Sequence, residues 1–183
     1  MCIAILVKPE GDLTVDQMDK CWSSNSHGAG FAYLHKGKVH ISKGFMELSA
    51  LKQAWTAARK KFRKSPFLLH FRIQSQGSMG PESTHPFAIA NGAMIHNGTL
   101  TGTGSVYGNG PTDSELLAKH FSEDFTEEFL AANIKELGDA IGYSKLVFLL
   151  NGGKYFIANE RLGTWANGNT VWFSNSSFNY ITK

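Results

Sequence analysis

The second residue of the chain is a cysteine at the head of the apolar run CIAILV, and it is one of only two thiols in 183 residues. Removal of the initiator methionine, which a small second residue permits, leaves Cys2 with a free α-amine beside its own thiol. An α-amine titrates near ~7.7 to 8.0, where a base works at cellular pH, so nucleophile and base then share one residue. An amine-activated nucleophile needs no histidine. The plain alternative is a small apolar residue in a core strand, since free cysteine is among the most buried types.

Three other places carry chemistry that would complement such a nucleophile. In HFRIQSQGSMGPESTHPF, Arg72 ends a strand pattern just before a polar, glycine-broken stretch. An arginine at that edge can grip a carboxylate through two parallel hydrogen bonds. IHNG closes another strand with Asn97 and Gly98. A side-chain N–H and an unobstructed main-chain N–H can form an oxyanion hole, where one donor is worth about 10² to 10³ in rate. In isolation the same dipeptide is a type I′ turn. GPTDSELL puts Asp113 at the start of a helix, as a cap or dipole partner, or as a seat for an ammonium beside the glycine-rich loop.

These residues need elements to hold them. CIAILV reads as a strand buried on both faces, and Thr14 with Gln17 makes a capping box for a helix whose Met18, Cys21 and Trp22 share one face. AGFAYLHKGKVHIS predicts a hairpin turning at Lys36 and Gly37. Leu48, Leu51, Trp55, Ala58 and Phe62 keep helical spacing over residues 47–64. That helix ends in RKKFRK, whose five cations are read as solvated groups complementing the helix dipole rather than as a nucleic-acid contact. PFLLHFRI is a strand, and FAIANGAMIHNG holds two, separated by Asn91 and Gly92.

TLTGTGSVYGNGPT, over residues 99–111 and just beyond, predicts a mobile loop whose glycine spacing does not fit phosphate binding. Helices are expected over 113–122, with a second capping box from Thr112 and Glu115, and over 127–141, with Phe129, Leu130, Ile134, Leu137 and Ile141 turned inward. SKLVFLL, KYFIAN and TVWFS return to strand. Strands, a helix, strands, two helices and strands again spell a layered α+β fold in one domain.

Composition excludes little else. Hydrophobic residues at 42% and charged ones at 18% are ordinary for a globular protein, and no apolar run approaches the ~20 residues of a membrane span. A net charge of +3 makes nucleic acid an unlikely partner. Without a recognisable signal peptide the expected compartment is the cytoplasm, where Cys2 and Cys21 stay unpaired. The histidines show no paired ligand spacing, so no metal is expected.

Together these residues resemble the class II, N-terminal-nucleophile glutamine amidotransferase domain, closest to its short stand-alone members, over most of the chain and in the same order. The family's histidine, any residue, arginine, then a glycine and an HP pair appears as His70, Phe71, Arg72, Gly77, His85 and Pro86. Its HNG is His96, Asn97 and Gly98, and its TD plus acid is Thr112, Asp113 and Glu115. The chain departs from the pattern at Ile3, Ile73 and Ser75, departures that bear on substrate preference more than on the nucleophile.

The resemblance implies a four-layer αββα sandwich of the N-terminal-nucleophile hydrolase type. It implies that Cys2 attacks the side-chain amide of glutamine, with Asn97 and Gly98 holding the oxyanion, giving glutamate and ammonia. Arg72 would bind the substrate carboxylate, Asp113 its ammonium, and Ser75 would add a hydrogen bond; His85 and His96 would be scaffolding. No cofactor is implied. The domain uses up residues 1–183, so an ammonia-consuming synthase would be a separate partner subunit. Rival readings are a hydrolase of another γ-glutamyl amide, a papain-like thiol hydrolase using His70, His85 or His96 as base, and a catalytically silent domain that binds a partner.

Overall fold

A computed structural model describes residues 2–75, 77–121 and 125–179. The fold is α+β, with two antiparallel sheets and four helices. In chain order the elements are β1 (Ile3–Val7), α1 (Val15–Ser24), β2 (Ala29–His35), β3 (Lys38–Phe45), α2 (Leu48–Phe62), β4 (Phe67–Phe71), β5 (Phe87–Ile89) and β6 (Gly92–Asn97). There follow α3 (Asp113–His120), α4 (Glu127–Ala140), β7 (Lys145–Leu150), β8 (Tyr155–Ala158), β9 (Thr164–Ala166) and β10 (Val171–Phe173). The larger sheet runs β3-β2-β4-β1-β10-β9 and the smaller β5-β6-β7-β8.

Period-two alternation sorts the strand residues into three apolar layers. Ile3, Ile5 and Val7 of β1 and Phe67, Leu69 and Phe71 of β4 pack with Met18 and Cys21 of α1 and Leu51 and Trp55 of α2. The alternate residues Ala4, Leu6 and Leu68 meet Ala93, Ile95, Val147 and Leu149 of the smaller sheet. The other face of that sheet, with Met94, Leu146 and Phe148, packs on Ala118 of α3 and Leu130 of α4. Both sheets are therefore buried on two faces, which is why β1 is apolar without a break and β4 and β7 are buried at every position.

Most local expectations hold. The Thr14–Gln17 box is complete, with both reciprocal bonds (3.0 and 3.1 Å). Lys36 and Gly37 both take positive φ, 50° and 75°, as a two-residue turn between right-twisted strands requires. Five points need correction. Only half of the second box forms: Thr112 accepts from the Glu115 N–H at 3.0 Å, while the Glu115 carboxylate pairs with Lys119 at 3.3 Å. The short strand β9 had no alternating signal, and it exists because β10 offers it an edge. The end of the helix expected over 113–122 falls partly outside the described residues, and α3 itself closes at His120.

The other two corrections concern side-chain direction. Phe129 is 45% exposed rather than inward. Arg59, read as one of five solvated cations, is buried: its guanidinium donates to the Gly11 and Ser65 carbonyls, pairs with Asp12 at 3.6 Å and lies 4.7 Å from the Phe67 ring centre. Among the described residues no helix is long and apolar enough to cross a membrane.

Candidate active site

Antiparallel pairing brings the start of β1 to the end of β4, through Ile3 opposite Phe71 and Ala4 opposite His70. Cys2 and Arg72, adjacent to these pairs, are thereby neighbours although 70 positions apart. The Cys2 thiol is bracketed by the main chain of Ile73: Sγ donates to the carbonyl oxygen at 3.2 Å and accepts from the N–H at 3.4 Å. The Cys2 carbonyl in turn accepts from the Asn175 side chain at 2.7 Å. Burial pushes the thiol above its ordinary value; the Ile73 hydrogen bond and the Arg72 charge oppose that shift, and Asp113 adds to it. The sulfur is accordingly a protonated thiol at neutral pH and needs a base within reach to become a nucleophile.

Cys2, Arg72, Ser75, Gly98 and Asp113 line one cavity of about 20 Å³, room for roughly one water molecule. Five of the six residues singled out for the site thus meet in one place. Arg72 is buried and donates from Nη2 to the Ser78 carbonyl at 2.9 Å. Its proton affinity is lowered by burial, against which Cys2, Glu82 and Asp113 pull. Ser75 is exposed beside it. Gly98 has φ +149°, and a Cβ there would overlap the Ser144 hydroxyl, so both conformation and space demand glycine.

Asn97 is the exception among the six. It is fully buried, and its Nδ2 donates to Ser174 Oγ at 2.7 Å. Ser174 Oγ also accepts from the Ala4 N–H at 2.9 Å, so one hydroxyl ties the end of β6 to β1 two residues from the thiol. A primary amide carries two N–H groups, and Ser174 takes one of them.

Asp113, at the first turn of α3, is buried and anchors the glycine-rich loop. Its Oδ2 accepts from the Leu100 N–H at 2.9 Å and its Oδ1 from the Ser114 N–H at 2.8 Å. The loop expected to be mobile is stitched further along: Gly77 donates to the Val106 carbonyl (3.1 Å), Gly108 to the Gly77 carbonyl (3.0 Å) and Ser78 to the Gly110 carbonyl (2.9 Å).

Of three buried histidines, His85 and His96 line the cavity and His70 packs against His85. His70 Nε2 donates to the His96 carbonyl at 2.9 Å, linking β4 to β6, and the His70 and His85 ring centres lie 4.0 Å apart. Ser114 Oγ lies 2.8 Å from His96 Nδ1 and 3.2 Å from Asp113 Oδ1, joining the ring to the carboxylate. Burial lowers His70 to about 3 and His96 to about 4, and holds His85 well below 6.5. The three rings are neutral, and charging one of them by taking the thiol proton would oppose that burial. Among the described residues no group of three or more His, Cys, Asp or Glu is arranged to hold a metal ion.

Sequence reasoning missed Ser174, Asn175 and Ser114. The run SNSS directly after β10 was a signal, because polar residues that follow a buried strand lie at its open end. It could be used only with the knowledge that β10 neighbours β1. No protein-family model matches the chain, and no curated protein matches it.

Proposed function

We propose that the protein is a glutaminase of the class II glutamine amidotransferase type, with an αββα sandwich of the N-terminal-nucleophile kind. The observation that carries this reading is the meeting of Cys2, Arg72, Ser75, Gly98 and Asp113, from four separate stretches of chain, around one cavity. Once Met1 is removed, the α-amine of Cys2 is a base carried on the same residue as the thiol. A thiol raised by burial and bracketed by main chain is one that such an amine would have to deprotonate as it attacks.

In this mechanism the sulfur adds to the γ-amide carbon of glutamine, and the α-amine takes the thiol proton. The second N–H of Asn97 and the main-chain N–H of Gly98 stabilise the tetrahedral oxyanion. The C–N bond breaks, the proton passes to the leaving nitrogen and ammonia departs. Water then hydrolyses the thioester through the same hole, giving glutamate. Arg72 binds the substrate carboxylate, Asp113 its ammonium and Ser75 a further polar atom, so the amide is held over the sulfur before reaction. No cofactor takes part. The ammonia would pass to a separate synthase subunit, in the cytoplasm. A space of about 20 Å³ does not admit an amino acid, so the 99–111 loop would have to move aside for glutamine.

The test compares protein whose Met1 is absent by intact mass with protein bearing a fixed N-terminal extension, on release of ammonia and glutamate from glutamine. Activity confined to the first form supports the reading. Equal activity in both would leave a thiol hydrolase that does not use the amine, and no activity in either would leave a silent domain.

A further inference from the structure

The cations of this chain are segregated. Residues 36–64 hold nine Lys or Arg against one carboxylate, Glu47, while the other nine cations of the chain face fourteen acids. Part of this was read as dipole compensation at the end of α2. The fold adds what no helix end explains: the β2–β3 turn carries Lys36 to the same hollow of about 500 Å³ that Lys60, Lys61, Arg63 and Lys64 surround. Arg63 is engaged by Glu10 at 3.2 Å. None of the four lysines is in an ion pair among the described residues. Lys38 follows directly, at the start of edge strand β3 opposite His35.

An aromatic row lies within this ring of charge. Phe62 has ring-centre distances of 4.6 Å to Tyr33 and 4.7 Å to His35, and Tyr33 stacks on His40 at 5.6 Å. His40 is exposed, and His35 and Phe62 line the hollow. The imidazole of His35 titrates below its ordinary value, through desolvation and then the charges of Lys36, His40 and Lys61, which marks the region as electropositive.

We propose that this face binds the backbone of a single-stranded nucleic acid, the lysines taking phosphates and the aromatic row stacking bases. Lysines on flexible stems beside the exposed His40 and the partly exposed rings of His35 and Phe62 suit a strand whose bases are unpaired. An acidic protein would meet the same cations but would leave the rings unused. The face is separate from the candidate active site. β4 runs from Phe67, beside the basic end, to Phe71, beside Cys2, a span of about 13 Å at ~3.3 Å per residue. The inference therefore stands whether or not the chain is a glutaminase.

The experiment is fluorescence anisotropy of a labelled oligothymidylate with the full chain. Neutralising about four phosphates predicts an affinity loss of about 50-fold between 50 and 200 mM salt. The variant Lys36→Glu/Lys61→Glu/Lys64→Glu should bind at least about 10-fold more weakly with unchanged melting temperature. Lys119→Glu/Lys135→Glu, exposed cations elsewhere, should bind like the parent. Absence of binding, equal binding by the first variant, or competition by polyglutamate as effective as by unlabelled oligothymidylate would each overturn the proposal.

Discussion

The side-chain amide of Asn175 donates to the main-chain carbonyl of Cys2 at 2.7 Å, holding the peptide that carries the nucleophile from outside its own strand. A chain end is ordinarily the least restrained part of a domain, and a reacting sulfur cannot be. Asn175→Ala should therefore lower kcat for ammonia release about 10-fold with KM nearly unchanged, since the bond positions the attacking group and does not touch substrate. Its loss should cost only about 1 kcal/mol of stability by urea unfolding. A kcat equal to the parent's would show that β1 alone fixes the thiol.

Cys2→Ala removes the nucleophile and little else. Among the described residues the sulfur bonds only with the Ile73 main chain. Ammonia release from glutamine should fall to background while the melting temperature stays within a few degrees of the parent. Release unchanged in this variant would remove Cys2 from the mechanism.

Arg72 has two duties, since one guanidinium nitrogen already holds the Ser78 carbonyl. Arg72→Lys keeps a cation but loses the planar fork that grips a carboxylate with two bonds. A charge-assisted bond is worth about 1.5 to 3 kcal/mol, so KM for glutamine should rise about 10- to 100-fold with kcat altered much less. The steady-state kinetics of this variant decide the point: a KM that does not move argues against a carboxylate clamp.

What was legible in the chain was local, or turned on residue type. The Lys36–Gly37 turn and the Thr14–Gln17 box are complete within a few residues, so they could be read directly. Arg59 could have been placed as well: it stands four residues after Trp55 and eight after Leu51, on the helix's inward stripe, and its charge drew attention from its position. Phe129 errs the other way, sharing its stripe with Asn133 and Glu136. Ser174 and Asn175 were not legible because nothing within a short window says that β10 lies beside β1; that is a property of sheet order. The same reason hid the convergence of Lys36 with the end of α2.

The buried histidines set how the protein responds to acid. His70 at about 3 and His96 at about 4, with His85 well below 6.5, are all depressed by burial; for His85 the neighbouring His70 and His96 and the charges of Arg72 and Lys43 push the same way. In the unfolded chain each titrates near 6.5, so below that pH the unfolded state binds more protons and stability rises with pH. The contribution is full above pH 6.5. It is lost as pH falls, through about 4 for His96 and about 3 for His70, with a slope approaching about 1.4 kcal/mol per pH unit for each ring. Carboxylates join only below about pH 4.5, so the interval from 6.5 to 5 isolates the histidines. Urea unfolding across that interval should show stability falling steeply, and His85→Gln should flatten the slope by about one third. A slope unaltered in His85→Gln would mean that His85 takes up its proton in the folded state.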